Sequence, residues 1–479
     1  MKKNSKKALS VALCSIMALA TACGSGGAKE SSSSSKAEET TKAAETTAAE
    51  TSAAEAKAPY DKYEPVDMGG RTFTLVYNWD MIPANSDAVL DSSANQEMIG
   101  KLENLKRLEK KYNCKIQYVN VPYDQLSEKL TTSVMAGKPF CDLINLSASQ
   151  GMSAILANEL LSVDEYAPKN ADILNDQLVL KPVKMLGKNY FMEEFNLPIS
   201  GIYIGFNRDM IKKLGLTAPD ELYKKGEWTW DKFMEIAKAA TKDTDGDGKV
   251  DQWGVGGTPG RLVPQLIASN DGFLLDETNK KSGLDDAKTV EALDFVNKIY
   301  NVEKVGYLVN NDPNDWGGND GSFKDGKVAL FYAETWMIPN SDPKLTYDFG
   351  IAPMPKGPSN NTDARYFLAS GGVAIPRGVE KPEWAYQIFE ELIDWCGADF
   401  STKTDGTLQW LESIYPTEET VDLTMEISKK CPKVDYYSAI PDYPLGNVIN
   451  AIIVDGKTVS QAVEENKQIA QDKVSAVLK

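Results

Sequence analysis

The chain has 479 residues, 25% of them charged, with a formal net charge of −17 and no histidine. An acidic surface of this kind argues against nucleic acid and acidic polymers as partners. The missing histidines exclude Ser-His-Asp and Cys-His nucleophile systems and every His-based metal site, while carboxylate-pair chemistry survives that filter.

Lys2, Lys3, Lys6 and Lys7 precede an apolar run from Ala8 to Ala20. That run is too short to cross a bilayer permanently and has the pattern of a secretory signal. It ends in Leu19-Ala20-Thr21-Ala22-Cys23, which resembles a bacterial lipobox, with Ala20 where leucine is commoner. The expectation is a signal peptide over 1–22 and an acylated, palmitate-bearing Cys23 that anchors the protein on the extracellular face of the cell membrane. Cleavage with release of a soluble protein is the alternative. Residues 24–58 are almost wholly Ser, Ala, Thr, Glu, Gly and Lys. They cannot bury a core, so 23–58 is expected to be a lipidated, disordered tether.

The remainder exceeds what one core usually serves, so two lobes are expected. Thr72 to Tyr77 reads as a strand, Leu102, Leu105, Leu108 and Tyr112 recur at helical spacing, and Lys115 to Val121 returns to strand composition, which makes a βαβ unit. Leu126, Leu130 and Val134 share a helix face, Gly137 is placed to end that helix, and Asp142 to Leu146 is a third strand. Strands alternating with helices imply an α/β fold with a mostly parallel sheet, and ligands gather beyond the carboxyl ends of such strands. Asn78, Trp79 and Asp80, then Ser147, Ser149 and Gln150, fall there. A turn or helix-cap role for each polar residue stays open.

Trp228-Thr229-Trp230-Asp231-Lys232-Phe233 reads as a helix start, with Thr229 as N-cap and Trp230 in the core. The helix runs into Asp243-Thr244-Asp245-Gly246-Asp247-Gly248-Lys249-Val250-Asp251, whose alternating oxygens match the start of a calcium loop. Asp243, Asp245, Asp247, Asp251 and the carbonyl of Lys249 are the expected ligands of a structural Ca2+. Position 12 is Gly254 instead of a bidentate Glu, so another group must finish the shell, and a solvated Asp/Gly turn is the alternative. No catalytic cofactor is expected. Four cysteines remain past Cys23, too few for a disulfide scaffold, and Cys396 and Cys431 are candidates to pair.

Gly205-Phe206-Asn207-Arg208-Asp209-Met210 with Lys213-Leu214-Gly215-Leu216, the Trp228–Phe233 helix start, the Asp/Gly run, Gly326-Lys327-Val328-Ala329-Leu330-Phe331 followed by Trp336, Gly350 to Gly357, Gly371 to Pro376 and Gly456 to Val463 occur in this order. The ordered set resembles the family 1 extracellular solute-binding lipoproteins of bacterial ABC importers, the maltose-binding-protein-like group. Val373 replaces a tyrosine of that pattern.

The resemblance implies a two-lobe, type II periplasmic-binding-protein-like fold, hinge-linked, with the ligand cleft between the lobes. Lobe 1 is expected over 68–200 plus 372–418 and lobe 2 over 203–368 plus 422–479, with crossings near Pro198 to Tyr203, Arg365 to Gly372 and Glu412 to Thr420. It also implies a monomer that is not an enzyme, closes around a carbohydrate and delivers it to ABC permease subunits. Sugars offer C–H faces that stack on aromatic rings. Trp336, with Glu334 on the same strand face, is the leading ligand-contact candidate. Trp79, Asp80, Ser147, Arg261, Trp316 and Tyr443 complete the set. Arg261 stands about where members of the family often carry an aromatic, which points to an acidic or phosphorylated sugar or a bidentate hydroxyl contact. A non-sugar solute such as a peptide or polyamine, or a carboxylate-pair glycosidase, remains as an alternative.

Overall fold

A computed structural model describes residues 62–92, 94–167, 184–192, 201–337, 345–368, 371–396 and 408–478. The expected signal peptide, Cys23, the tether over 23–58 and the start of the first crossing at Pro198 lie outside the described residues.

Within the unit Lys57–Lys479 the two largest sheets among the described residues, of five and four strands, are each the centre of a lobe. In the first, Thr72–Tyr77 lies between Lys115–Asn120 and Leu143–Leu146, parallel to both, as expected for a βαβ unit. The apolar run Phe73, Leu75, Val76 and Tyr77 is buried, the mark of a strand covered on both faces. Gly372–Pro376 returns from far along the chain and inserts antiparallel beside Leu143–Leu146, with Leu160–Leu161 beyond it. The helix Gln96–Tyr112 is opened by Asn95, whose side chain accepts the Met98 N–H, and closed by Asn113 in the left-handed region. Its Leu105, Leu108 and Tyr112 pack in a core shared with Tyr386, Ile388 and Phe389 of the helix Pro382–Leu392.

Folded structure begins before the expected residue 68. The Lys62 and Tyr63 N–H groups donate to Glu391, and Tyr63 packs against the first-lobe core.

The second sheet runs Phe349–Ala352, Ile202–Asn207, Val328–Glu334, Trp253–Gly256. Val328–Glu334 is antiparallel to Ile202–Asn207 and parallel to Trp253–Gly256. The helix Trp230–Ala240 follows Thr229 and buries Phe233, Ile236, Ala237 and Ala240 against this sheet. Trp230 is core, as expected: its ring stacks on Phe295 with centroids 4.3 Å apart and its indole N–H donates to Ser269.

Residues 408–418, placed with the first lobe by the sequence reading, belong elsewhere. Leu411 and Tyr415 pack in the second-lobe core, and the hydroxyls of Tyr415 and Tyr203 bond at 2.5 Å. The C-terminal helix Val459–Val477 belongs to both lobes. Val459, Ala462, Val463 and Ala470 join the second-lobe core, whereas Val474 and Val477 pack with Met152 and Ile155 of the first. The expected Cys396–Cys431 pair does not form: Cys431 is a buried thiol without a disulfide, and burial pushes it up to about 12.

Candidate ligand-binding site

In the second lobe, the parallel strands Trp253–Gly256 and Val328–Glu334 end on the same side of the sheet, and four of the expected residues meet there. Arg261 sits in the first turn of the helix Pro259–Ser269, which starts just after the first of these strands. Glu334 closes the second strand and Trp336 follows it. Tyr332 and Glu334 are two residues apart in the strand, so its pleat presents them on one face, and Trp336 follows in the turn after it. Trp316 opens the helix Trp316–Lys324, whose N-terminus is fixed by Asp315 accepting the Gly318 N–H at 2.8 Å. Thr258, just before the helix Pro259–Ser269, ties that helix to this one, its hydroxyl donating to Asp320 at 2.8 Å.

The guanidinium carbon of Arg261 lies 4.7 Å from the Trp316 ring centroid and 5.4 Å from that of Trp336. Each such contact is worth about 0.5–1 kcal/mol at an exposed site. Arg261 Nη1 also faces Glu334 Oε1 at 3.3 Å. Glu334 is held from two further sides: the Tyr332 hydroxyl donates to Oε1 and the Trp336 indole N–H donates to Oε2, each at 2.7 Å. Both indoles remain about half exposed, Trp316 at 48% and Trp336 at 49%. Two large apolar faces are thus fixed beside a hydrogen-bonded carboxylate and a guanidinium. This arrangement can stack a ring and bond its polar edge.

In the first lobe, the expected residues lie along the carboxyl ends of its parallel strands. Trp79 packs edge-on against Tyr77 with centroids 5.0 Å apart and is 42% exposed. Asp80 accepts the Asn120 amide at 2.9 Å. Ser147 and Gln150 form the capping box of the helix Ala148–Leu156, so the helix-cap reading holds for both. Ser147 Oγ also bonds the Tyr123 hydroxyl at 3.1 Å. Tyr123, half exposed beside this edge, was missed in the sequence, as was Tyr332. The period-two spacing of Tyr332 with Glu334 was the available signal.

Tyr443 is placed differently. Its hydroxyl donates to the Leu274 carbonyl at 2.9 Å and bonds Ser282 at 2.8 Å, and its ring packs against Tyr437. It fastens the hairpin Leu275–Ser282 and is not joined to the Arg261 corner.

In the Asp/Gly loop, one carboxylate oxygen each from Asp243, Asp245 and Asp247 lies within 4.8 Å of the others. Gly246 and Gly248 both adopt positive φ, +80° and +89°, the sharp turn that glycine permits. The Gly248 and Gly246 N–H groups donate to Asp243 and hold its carboxyl below its ordinary range. Asp251 departs from the expected set: its carboxylate accepts the Thr244 N–H and hydroxyl. The Lys249 N–H donates to Asp247. Gly254, at position 12, lies in a strand against the Ala237 backbone and offers no ligand.

The profile of the bacterial extracellular solute-binding proteins matches residues 91–399. The chain belongs to this family. Its members are binding proteins of ABC transporters. A search of curated proteins by sequence finds no match. Among solved structures, the chain is similar to the maltose/maltodextrin-binding domain from Bdellovibrio bacteriovorus bound to maltotriose, at 16% identity and TM-score 0.59, covering 84% of this chain and 100% of that one. It is similar to an ABC substrate-binding protein from Listeria monocytogenes in complex with cycloalternan, at 18% identity and TM-score 0.60, covering 85% and 99%. A third, UgpB from Mycobacterium tuberculosis in complex with glycerophosphocholine, has 15% identity and TM-score 0.60 over 86% and 100%. These likenesses establish the two-lobe periplasmic-binding-protein-like fold. No described helix of this family member is long and apolar enough to cross a membrane.

Proposed function

We propose that the chain captures a carbohydrate, an oligosaccharide, between its lobes and delivers it to an ABC permease, acting as a monomer anchored through acylated Cys23. The observation that carries this reading is the pair of half-exposed indoles, Trp316 and Trp336, fixed around Arg261 and Glu334 where the second-lobe strands end. Pyranose rings present C–H faces to such indoles and hydroxyls to such a polar pair. Trp79 and Asp80 provide similar chemistry on the first lobe.

The test is a thermal shift of the intact, detergent-solubilised protein against mono- and oligosaccharides, with product analysis of each hit. One sugar class raising Tm with no product formed is the expected result. Shortened products would replace the reading with a glycosidase. Trp336→Ala is expected to weaken the binding of the hit about tenfold, ~1.4 kcal/mol, with little change in Tm of the free protein.

A second reading has one observation in its favour. Trp316, Trp336 and Glu334 already hold a cation, the Arg261 guanidinium, and such a corner suits an organic ammonium. Silence across sugars with a shift from choline esters or polyamines would favour it.

The Asp/Gly loop fits Ca2+ in part. Asp243, Asp245 and Asp247 would hold it with the Lys249 carbonyl, water would complete the shell, and the ion would staple the second lobe. Calcium at a hundredfold excess over its Kd is expected to stabilise the protein by about 2.7 kcal/mol. Asp245→Ala with Asp247→Ala should remove the calcium-dependent rise in Tm, and no rise in the unaltered protein would dismiss the site.

A further inference from the structure

Arg261 alone on two indole faces would be an anion trap, because a guanidinium presents a fork of donors that matches carboxylate and phosphate. It is not alone. Nη1 is directed at Glu334 Oε1, 3.3 Å away, in a half-buried pair whose side chains are 23% and 28% exposed. Glu334 cannot turn aside without breaking the 2.7 Å bonds from the Tyr332 hydroxyl and the Trp336 indole N–H. Both donors are neutral, so neither offsets the carboxylate charge.

Among the described residues joined in this corner, Arg261 carries the one positive charge, while Asp315 and Asp320 add negative charge around the helix that presents Trp316. On the first lobe Asp80 is a further carboxylate at the strand ends. Arg261 Nη2 and Nε bond no described residue and remain available to hydroxyl oxygens of a ligand.

We propose that Glu334 sets the charge selectivity of the site: it cancels Arg261, so the paired indoles accept uncharged, hydroxyl-rich rings and disfavour the carboxylate or phosphate forms of the same rings. This rests on the carbohydrate reading for the nature of the ring. The neutralised corner itself does not depend on it. A ligand carboxylate on the free edge of Arg261 would share one guanidinium with Glu334, and like charges set so close oppose binding. Of the two readings of Arg261 drawn from the sequence, an acidic or phosphorylated sugar and a bidentate hydroxyl contact, this proposal favours the second.

Two measurements on the intact protein test it. The first needs no ligand: quenching by iodide and by caesium of the fluorescence component lost in Trp316→Phe and Trp336→Phe. The unaltered protein should show no preference for iodide, Glu334→Gln should raise iodide quenching, and Arg261→Gln should raise caesium quenching instead.

The second is calorimetry with the neutral oligosaccharide found in the panel and with its terminal hydroxymethyl group oxidised to a carboxylate. The neutral form should bind at least about tenfold tighter, and Glu334→Gln should narrow that ratio about tenfold. A merely structural role for Glu334 would weaken both ligands equally and leave the ratio unchanged, which overturns the proposal. So does an unaltered protein that favours the carboxylate. If no sugar binds, the carbohydrate reading fails, and an iodide-to-caesium ratio unmoved by Glu334→Gln then defeats the charge filter separately.

Discussion

Glu391→Ala is expected to destabilise the first lobe by about 3–5 kcal/mol, because it removes the carboxylate of a buried ion pair with Lys111. The Glu391 side chain is fully buried and that of Lys111 is 7% exposed, with Nζ 2.8 Å from Oε1. The same carboxylate accepts the Tyr112 hydroxyl at 2.9 Å and the backbone N–H groups of Lys62 at 2.9 Å and Tyr63 at 3.2 Å. One side chain therefore fixes the helix Gln96–Tyr112, the helix Pro382–Leu392 and the entry of the folded chain. Urea unfolding of Glu391→Ala, Lys111→Ala and the double variant would measure this. A coupling energy near zero would show that the pair is not the source of the loss. Ligand affinity should change little wherever the variant is folded, since the contact lies at the helices and not at the strand ends.

Gly371→Ala should combine a loss of stability with a loss of binding. A Cβ built on Gly371 would lie 1.8 Å from the Leu146 carbonyl oxygen and 2.7 Å from the Ser147 carbonyl carbon. Both neighbours are backbone and cannot swing aside, so the return strand Gly372–Pro376 would have to part from Leu143–Leu146, to which it is paired. Overpacking of this kind costs about 3 kcal/mol. It would also displace Ser147, the N-cap that meets Tyr123 at the strand ends. Chemical denaturation together with titration of the oligosaccharide hit tests both arms. A variant with unaltered stability would mean that the return strand tolerates a side chain there.

Much of the first lobe was legible. Thr72–Tyr77, Lys115–Asn120 and Leu143–Leu146 form where alternating strand and helix periodicity placed them, because local patterning decides such elements. The sequence likewise singled out Arg261, Trp316, Glu334 and Trp336, though only as separate residues. Their joining depends on strands that end side by side, which no local pattern encodes. Tyr443 shows the converse: an aromatic in the right region became a fastening for a hairpin because Leu274 and Ser282 lie within reach of its hydroxyl. Asp251 was read by spacing as a calcium ligand, but the fold of the loop gave its carboxylate the nearer donors of Thr244.

The lobe boundary was misplaced for a related reason. Residues 408–418 follow a first-lobe helix in sequence, yet Leu411 and Tyr415 are apolar surfaces that either core can bury. Burial is nearly indifferent to chain order, so only the assembled second lobe, with Tyr203 positioned to bond Tyr415, decides which core receives them.

By itself the sequence determined the α/β class, the ordered family motifs, the exclusion of histidine chemistry and the residue types available to a ligand, since these follow from composition and short-range periodicity. Tertiary structure alone decided that Arg261 is neutralised by Glu334 and covers two indoles, that the last helix serves both lobes, and that Glu391 gathers donors more than 270 residues away in sequence. Those outcomes depend on distances of a few ångströms between residues far apart in the chain, and electrostatic and packing energies are set at that scale.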